Sequence, residues 1–434
     1  MFKLGRLAVV FLAFAGVMSS VAQAELTITV GDHSANSAGE IITVDLSVTN
    51  GGGQEIDGML LNVVLGGDLA GPTFVANSVD LTTGTVFAGG FSGAADDENG
   101  VNDREISYSV STPNSNDIAI TTADLATFQI DTTGAGNNRY GIVLESTTSE
   151  LSAFALNGGA PATTLVYGSI SIGDNPIVIW SGDGSDSNLT NYQNWLYQAA
   201  PLAGDSLQFA GTTNTTVNMD QTANTAYHSI TFDNTAQGFV LDGNAIGIDA
   251  GGSITNNSTL QGSYDFGEGA EPIGQLLLVD IKASGDLTLD AAAGDLTFDD
   301  SNISMTGSST LTIDGGATTT VDVLSNILGS SAIVDVQTSG NLILAGTNTF
   351  MTLNINSGTV EFENGNAMSN TGSVSVADGA TLLMNSDNEQ IGTINAAAGS
   401  TINLGTSILI VGGTGNSTFA GTIIDTATPD ENNE

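Results

Sequence analysis

The sequence predicts an all-β chain in two parts, a β-sandwich followed by a solenoid of stacked parallel strands. Three observations carry this. Apolar and polar residues alternate with a period of two through residues 25–173, with no competing 3.6-residue pattern. From position 205 onwards, short apolar runs recur at intervals of about 20 residues. Between Pro272 and Pro429 there is no proline, which suits interior strands where each proline would delete a ladder hydrogen bond.

Positions 1–24 read as an address. Lys3 and Arg6 precede an apolar stretch from Leu7 to Val17, and Ala22-Gln23-Ala24 forms an A-x-A cleavage site. The stretch is too short to span a bilayer, which takes about 20 residues. No later segment approaches that length. Cleavage before Glu25 makes the expected location secreted or cell-surface in a bacterium. The complete absence of cysteine fits an exported protein that does not rely on disulfides.

Residues 25–173 form the expected sandwich. Leu26, Ile28 and Val30 alternate with Thr27 and Thr29, and Ile42, Val44, Leu46 and Val48 with Thr43, Asp45 and Ser47. Met59, Leu61, Val63 and Leu65 continue the period, which marks strands with one buried and one wet face. Gly51-Gly52-Gly53, Gly66-Gly67, Gly89-Gly90 and Gly158-Gly159 punctuate the runs as turns. Further strands are expected at Ile106 to Val110, Ala126 to Ile130, Tyr140 to Leu144 and Leu165 to Ile172.

The run from Ala38 to Asn50 with Ile56-Asp57-Gly58, and later Leu125 to Ile130 with Tyr140 to Leu144, resembles strands of cohesin-like modules. That resemblance implies a jelly-roll sandwich related to carbohydrate-binding modules. It carries over no binding residue.

Pro176 and Gly182-Asp183-Gly184-Ser185-Asp186 mark a boundary, so 174–204 is read as a linker and a cap on the solenoid, 205–425 as the solenoid, and 426–434 as an acidic tail. Leu207-Gln208-Phe209, Ile230-Thr231-Phe232, Leu287-Thr288-Leu289, Leu311-Thr312-Ile313 and Leu342-Ile343-Leu344 are typical of the short runs. Phe209, Phe232 and Ile254 stand at near-equal spacing, and Gly285-Asp286-Leu287-Thr288 recurs as Gly294-Asp295-Leu296-Thr297. Each coil has too little apolar surface to fold alone and is stabilised by its neighbours. At roughly 22 residues per coil and about 4.8 Å per strand, the rod would hold about 11 coils and measure roughly 50 Å. Asn and Thr at turns are expected to form ladders from coil to coil.

Trp180-Ser181-Gly182-Asp183-Gly184, Asn194-Trp195, Ala203 to Phe209, Ser229 to Asn234 and Gly252 to Asn257 resemble the opening segment of autotransporter-associated β-strand repeat proteins. Gly340 to Phe350, Ile355 to Val360 and Ser417 to Ile423 are similar to the repeat itself. The resemblance implies a right-handed parallel β-helix exported to the cell surface or beyond. Met351-Thr352-Leu353 replaces the usual Thr-Gly-Gly, which leaves the register of that coil open. The chain reads to Asn433-Glu434 without a barrel or sorting tail, so a free secreted protein or an incomplete chain is expected.

Charge bounds the chemistry. Five Lys and Arg face 47 Asp and Glu, and after Arg139 the only cation is Lys282. Nucleic acid is excluded as a partner because phosphate neutralisation needs a basic patch. No cofactor is expected. Calcium at acidic turns is the exception considered, with Asp96-Asp97-Glu98-Asn99-Gly100-Val101-Asn102-Asp103 the densest run, though it lacks the spacing of a dedicated loop.

No catalytic or metal residue is assigned. His228 reads as a coil-edge residue directly before a strand, and His33 lies in a turn with no second histidine nearby. Asp299 and Asp300 would point to opposite faces, whereas Glu361 and Glu363 would share one face as a glycosidase pair would, or as a solvated rim. The expected function is a non-catalytic exported structural or adhesive protein, with a sandwich head on a β-helical stalk. The alternatives are a carbohydrate binder using Phe87, Phe91, Tyr108 or Tyr140, or a β-helical polysaccharide-degrading enzyme. Extracellular glycan or cell-envelope components are the expected partners.

Overall fold

The computed structural model describes residues 26–425 apart from 51–54, 57, 67–70, 77, 81–91, 97–104, 112–117, 120–121, 146–153, 156–162, 266–269, 364 and 386–387. The described residues are all-β, with a single 3-10 turn at Tyr192–Asn194. No helix among them is long and apolar enough to cross a membrane.

Two sheets form the N-terminal sandwich. One runs in the order Thr163–Val166, Leu26–Val30, Ile41–Asn50, Thr122–Asp131, Thr73–Phe74. The other runs His33–Ala35, Gly168–Ile172, Arg139–Glu145, Gly58–Leu65, Glu105–Ser111, Ser92–Asp96, with Phe154–Ala155 paired beside Gly58–Leu65. Val44, Leu46, Val48, Phe128 and Ile130 from the first sheet share one core with Val63, Leu65, Ile142, Leu144 and Ile170 from the second. This is the alternation read from the sequence, and it buries one face of each sheet.

The solenoid begins directly after the short connection 173–176, turned by Gly173 and Asn175 at positive φ. Two long parallel sheets flank its interior, one of 14 strands and one of 10. On the longer sheet, an inward column descends through Val178, Leu207, Ile230, Ile254, Leu289, Ile313, Val336, Ile355, Val376 and Ala396 to Phe419. On the shorter sheet, Leu296, Val321, Leu342, Val360, Leu382, Ile402 and Ile423 form the equivalent column. Up to Ala396 and Ile402 both columns belong to one continuous core that begins at Val178, whereas Phe419 and Ile423 are exposed.

Ile254 is the partner of Ile230, while Phe232 is followed by buried Asn256, so the three residues of near-equal spacing occupy two columns rather than one. The two Gly-Asp-Leu-Thr motifs are not successive coils either. Leu287 lies on the 14-stranded sheet and Leu296 on the 10-stranded sheet, so the recurrence is one rung turning from face to face. The aspartates of the two motifs act alike. Asp286 Oδ1 accepts the N–H of Thr310, and Asp295 Oδ1 accepts that of Thr320, both one rung on. Most rungs of the longer sheet take about 20 residues, as from Asp335 to Asn354 and from Ser229 to Ser253. The rung from Ser253 to Thr288 is longer because the hairpin Gly262–Asp265 with Ala270–Ile273 is inserted in it.

The coil around Met351 keeps its register: Thr352–Ile355 pairs with Ile333–Val336 on one side and Ser373–Val376 on the other. The expected amide ladder is present at one corner. Asn302 donates to Asp280, Asn326 Nδ2 donates to Asn302 Oδ1 at 2.8 Å, and Asn326 Oδ1 accepts the N–H of Thr347.

Leu342 and Leu344 are fully buried and Ile343 between them faces outward, half-buried. Leu342→Asp should therefore lower stability by at least about 3 kcal/mol, since no cation is near enough to compensate the carboxylate. Ile343→Thr should stay within about 1 kcal/mol. Circular-dichroism melts of the two variants check this, and equal tolerance would contradict the inward columns.

Candidate functional site

The most strongly built polar arrangement lies where the sandwich meets the solenoid. Arg139 opens the strand Arg139–Glu145, and Asp205 immediately precedes the strand Ser206–Phe209; both side chains are buried. The guanidinium donates Nε–H to Asp205 Oδ2 at 2.8 Å and an Nη2–H to Oδ1 at 2.7 Å. Its Nη1 donates to Ser169 Oγ, which donates in turn to Asp32 Oδ1 at 2.7 Å. Asp205 Oδ2 also accepts the N–H of Leu202. This bidentate fork is the one ion pair formed between described residues.

The backbone fits around the pair. A Cβ on Gly66 or Gly141 would lie within 2.0 or 2.1 Å of the carbonyl oxygens of Tyr197 and Gln198, so only glycine lets the cap loop lie against the sandwich sheet. Gly141 N–H donates to Tyr197 O, and the N–H of Ile177 to Asn137 O. The Tyr140 and Tyr197 rings meet at 4.7 Å. Below them Trp180, Trp195, Phe209, Phe232 and Phe239 pack ring against ring, and Trp195 Nε1–H donates to Leu189 O. The aromatic residues that carry the repeat-family resemblance thus plug the N-terminal end of the solenoid.

A second feature is an acidic group on the 10-stranded sheet. Asp322 sits on the outward side of Thr320–Val323, in register with Thr297 on one side and Ile343 and then Glu361 on the other. Burial pushes its carboxyl up to about 7, aided by Glu363, Asp299, Glu361 and Asp295. Its Oδ1 is buried without a hydrogen-bond partner. Glu389 is also pushed up to about 7 by burial, against the lowering effect of backbone N–H groups such as that of Ala367, which donates to its Oε2. Elsewhere Asp290 is raised by burial and by Asp314, its in-register neighbour one rung away.

The residues weighed from the sequence are scattered. His33 begins the strand His33–Ala35 rather than sitting in a turn; burial lowers its pKa against the opposing pull of Asp45 and Asp32. His228 lies inside Thr225–Phe232, at the bulge between Tyr227 and Ser229, and not before the strand as expected. Lys282 is exposed between Gly247 and Ser304. Asp299 Oδ1 accepts the N–H of Asp300, and Glu361 accepts a hydrogen bond from Asn385 Nδ2. Adjacency in sequence did not find Asp322 or Glu389; stepping two rungs back along the register from Glu361, through Ile343, would have reached Asp322.

Of the aromatics, Tyr140 is buried in the sandwich core with its hydroxyl accepting the N–H of Gly136. Tyr108 lies on Glu105–Ser111, paired with Leu61 and Ala95. Phe87 and Phe91 lie outside the described residues, as do residues 97–103 of the acidic run, whose Asp96 closes the strand Ser92–Asp96. No cluster of metal-ligand residues occurs among the described residues.

No family model matches the chain, and no curated protein matches it. Among solved structures, the third ScaC cohesin of Acetivibrio cellulolyticus, solved with the ScaB dockerin, is similar at 17% identity and a TM-score of 0.28, over 34% of this chain and 99% of that one. A non-cellulosomal cohesin of Archaeoglobus fulgidus is similar at 15% identity and a TM-score of 0.25, over 34% and 91%. A cohesin of Clostridium acetobutylicum, solved in solution, is similar at 14% identity and a TM-score of 0.27, over 36% and 94%.

Two variants probe these features. Arg139→Met leaves Asp205 buried without its cation and should cost about 3–5 kcal/mol, whereas Arg139→Met with Asp205→Asn should recover part of that loss; calorimetry measures both. Asp322 holds its proton in the folded chain up to about pH 7 but, once unfolded, only to its ordinary value of 3.8. The folded state therefore binds the extra proton between those limits, so stability falls as pH rises across that window and levels off above it. The wild type should melt higher at pH 5 than at pH 8. Asp322→Asn should melt higher than wild type at pH 8 and show a shallower pH slope, with Glu389 and Asp290, both also raised, contributing to what remains.

Proposed function

We propose that the chain is a non-catalytic, exported structural or adhesive protein of the bacterial surface, a β-sandwich head held on a β-helical stalk. The observation that carries this reading is the junction. A buried Arg139–Asp205 fork, glycine-permitted backbone contact and a sheet bridge between Asn138 and Ile177 join the head to the first rung. Such a joint transmits load and holds the head at a fixed attitude, which a flexible Gly- or Ser-rich linker would not do. The rod beneath is filled with apolar side chains from Val178 to Ile402.

Export is supported by the leader-like residues 1–24 and the lack of cysteine. The ordered motifs around Trp180, Trp195, Phe209 and Phe232 support kinship with autotransporter-associated repeat proteins. The partners proposed are extracellular glycan or cell-envelope components. Binding through sandwich aromatics is the lesser reading, because Tyr140 is core and the Tyr167–Tyr192 rings are tilted by 53° rather than coplanar. A coplanar platform is what stacking on a sugar ring needs.

The test is expression in a bacterium with intact export. Material recovered outside the cytoplasm should begin at Glu25, and protease added to intact cells should remove it. Purified protein should release no reducing ends or unsaturated products from neutral or acidic polysaccharides. Retention in the cytoplasm with Met1 in place would remove the address, and product release would remove the non-catalytic assignment.

A further inference from the structure

The hairpin inserted in the solenoid has a pocket at its foot. Residues 258–261 lead into its first strand, Gly262–Asp265, and Gly274 follows its second, Ala270–Ile273. The pocket has a volume of about 120 Å³ and spans one corner of three successive rungs. Residues 258–261 and Gly274 line it from the rung that carries the hairpin, 293–295 from the next, and 318–319 from the one after. Glycine brings these turns together: a Cβ on Gly294 would lie 2.2 Å from the carbonyl oxygen of Ser258, and one on Gly274 would lie 2.3 Å from that of Asp295.

Buried polar side chains hold the pocket in shape. Ser258, 1% exposed, donates its hydroxyl to Ala236 O and accepts the N–H of Leu260. Asn256, fully buried behind it, accepts the N–H of Ser258 and donates Nδ2–H to Asp295 O. Thr319, also buried, donates its hydroxyl to Gly316 O, which leaves the oxygen free to accept. Asp295 is the one ionisable side chain among the described residues that line the pocket, and its Oδ1 is held by the N–H of Thr320. Its charge also reaches Asp322, together with those of Asp299, Glu361 and Glu363, so the pocket lies beside the acidic group of the 10-stranded sheet. The only cation after Arg139 is Lys282, which belongs to the other long sheet.

These features select a ligand. An anion would be repelled by Asp295 and by the acids beside it. A divalent cation takes six or more oxygen ligands, and no group of three metal-ligand side chains occurs among the described residues. Size separates the remaining classes: a cavity of about 150 Å³ holds a benzene-sized molecule, so this smaller one admits an alkyl chain end-on but not a whole sugar ring. Leu260, 42% exposed, and Ala293 give such a chain an apolar wall. We propose that the pocket receives a primary ammonium group on a short alkyl stem, carried by a free polyamine or by a lysine side chain of a partner. The ammonium has three donors and no acceptor, and the Asp295 carboxylate with the threonine hydroxyls supplies the oxygens to meet them.

Saturation-transfer NMR on the purified chain tests this with 1,5-diaminopentane, Nα-acetyl-lysine methylamide and, as a neutral match in length, 1,5-pentanediol. At least one amine should be saturated and the diol should not; preference for the diamine assigns the site to a polyamine, and preference for the lysine derivative to a side chain. Asp295→Asn keeps an oxygen for the N–H of Thr320 but removes the charge, and should weaken amine binding at least about tenfold. Thr318→Phe, at an exposed position, fills the pocket without altering charge and should do the same. Asp378→Asn removes an exposed acid farther along the rod, before the strand Thr381–Met384, and should leave binding unchanged. Melting curves confirm that each variant is folded. Saturation of neither amine, equal binding of the diol, a loss at Asp378 as large as that at Asp295, or full binding by Thr318→Phe would each overturn the proposal.

Discussion

A carboxylate in this chain has almost no cation to turn to, because five Lys and Arg are set against 47 Asp and Glu. The acids are accommodated instead by amide donors. Asp286 and Asp295 accept backbone N–H groups of the next rung, Asp220 accepts from Thr190, and Asp335 and Glu361 accept from the side chains of Asn356 and Asn385. Each such bond ties one rung to its neighbour, so the acids act as clips between coils rather than as halves of salt bridges. Hydrogen bonds to an ionised group are stronger than neutral ones, at about 1.5–3 kcal/mol each.

The same scarcity gives the Arg139–Asp205 pair its place. The ion pair is spent at the joint between head and rod, buried and bidentate, with Ser169 and Leu202 filling the remaining hydrogen-bond positions. A buried pair adds little stability over an apolar contact but severely penalises any arrangement that separates its members. It therefore fixes how the sandwich sits on the first rung more than it strengthens either part. Apolar stacking supplies the strength: a fully buried Leu or Ile contributes about 1.5–3 kcal/mol, and the inward columns repeat that contribution at every rung.

Stacking in register also has a cost where acids coincide. Asp290 lies over Asp314, and Asp322 faces acids from neighbouring rungs without an amide to meet its buried oxygen. Protonation is the remaining way to relieve such a position, and the raised value of Asp322, which comes first from burial and then from its acidic neighbours, is its signature, whereas Glu389 is raised by burial alone. These sites were not legible from sequence proximity. The pairs that sequence proximity offered, Asp299 with Asp300 and Glu361 with Glu363, are each adjacent along one rung, while the electrostatic coupling that matters runs between rungs.

Alternation of apolar and polar residues determined the two-part all-β architecture, the inward Leu342 and Leu344, and the outward Ile343, because a strand's side-chain period is set by its own backbone. Proline-free repeats of about 20 residues determined that the second part stacks in parallel. Which repeat lies over which was decided by the tertiary structure: the Gly-Asp-Leu-Thr echoes became two faces of one rung, and Ile254 joined Ile230 rather than Phe232. Registry depends on the length of each intervening turn and on one inserted hairpin, and neither leaves a mark in local periodicity. The partner of Arg139 and the acids around Asp322 were likewise decided there, since contacts between distant segments or between rungs exist only after the coils have stacked.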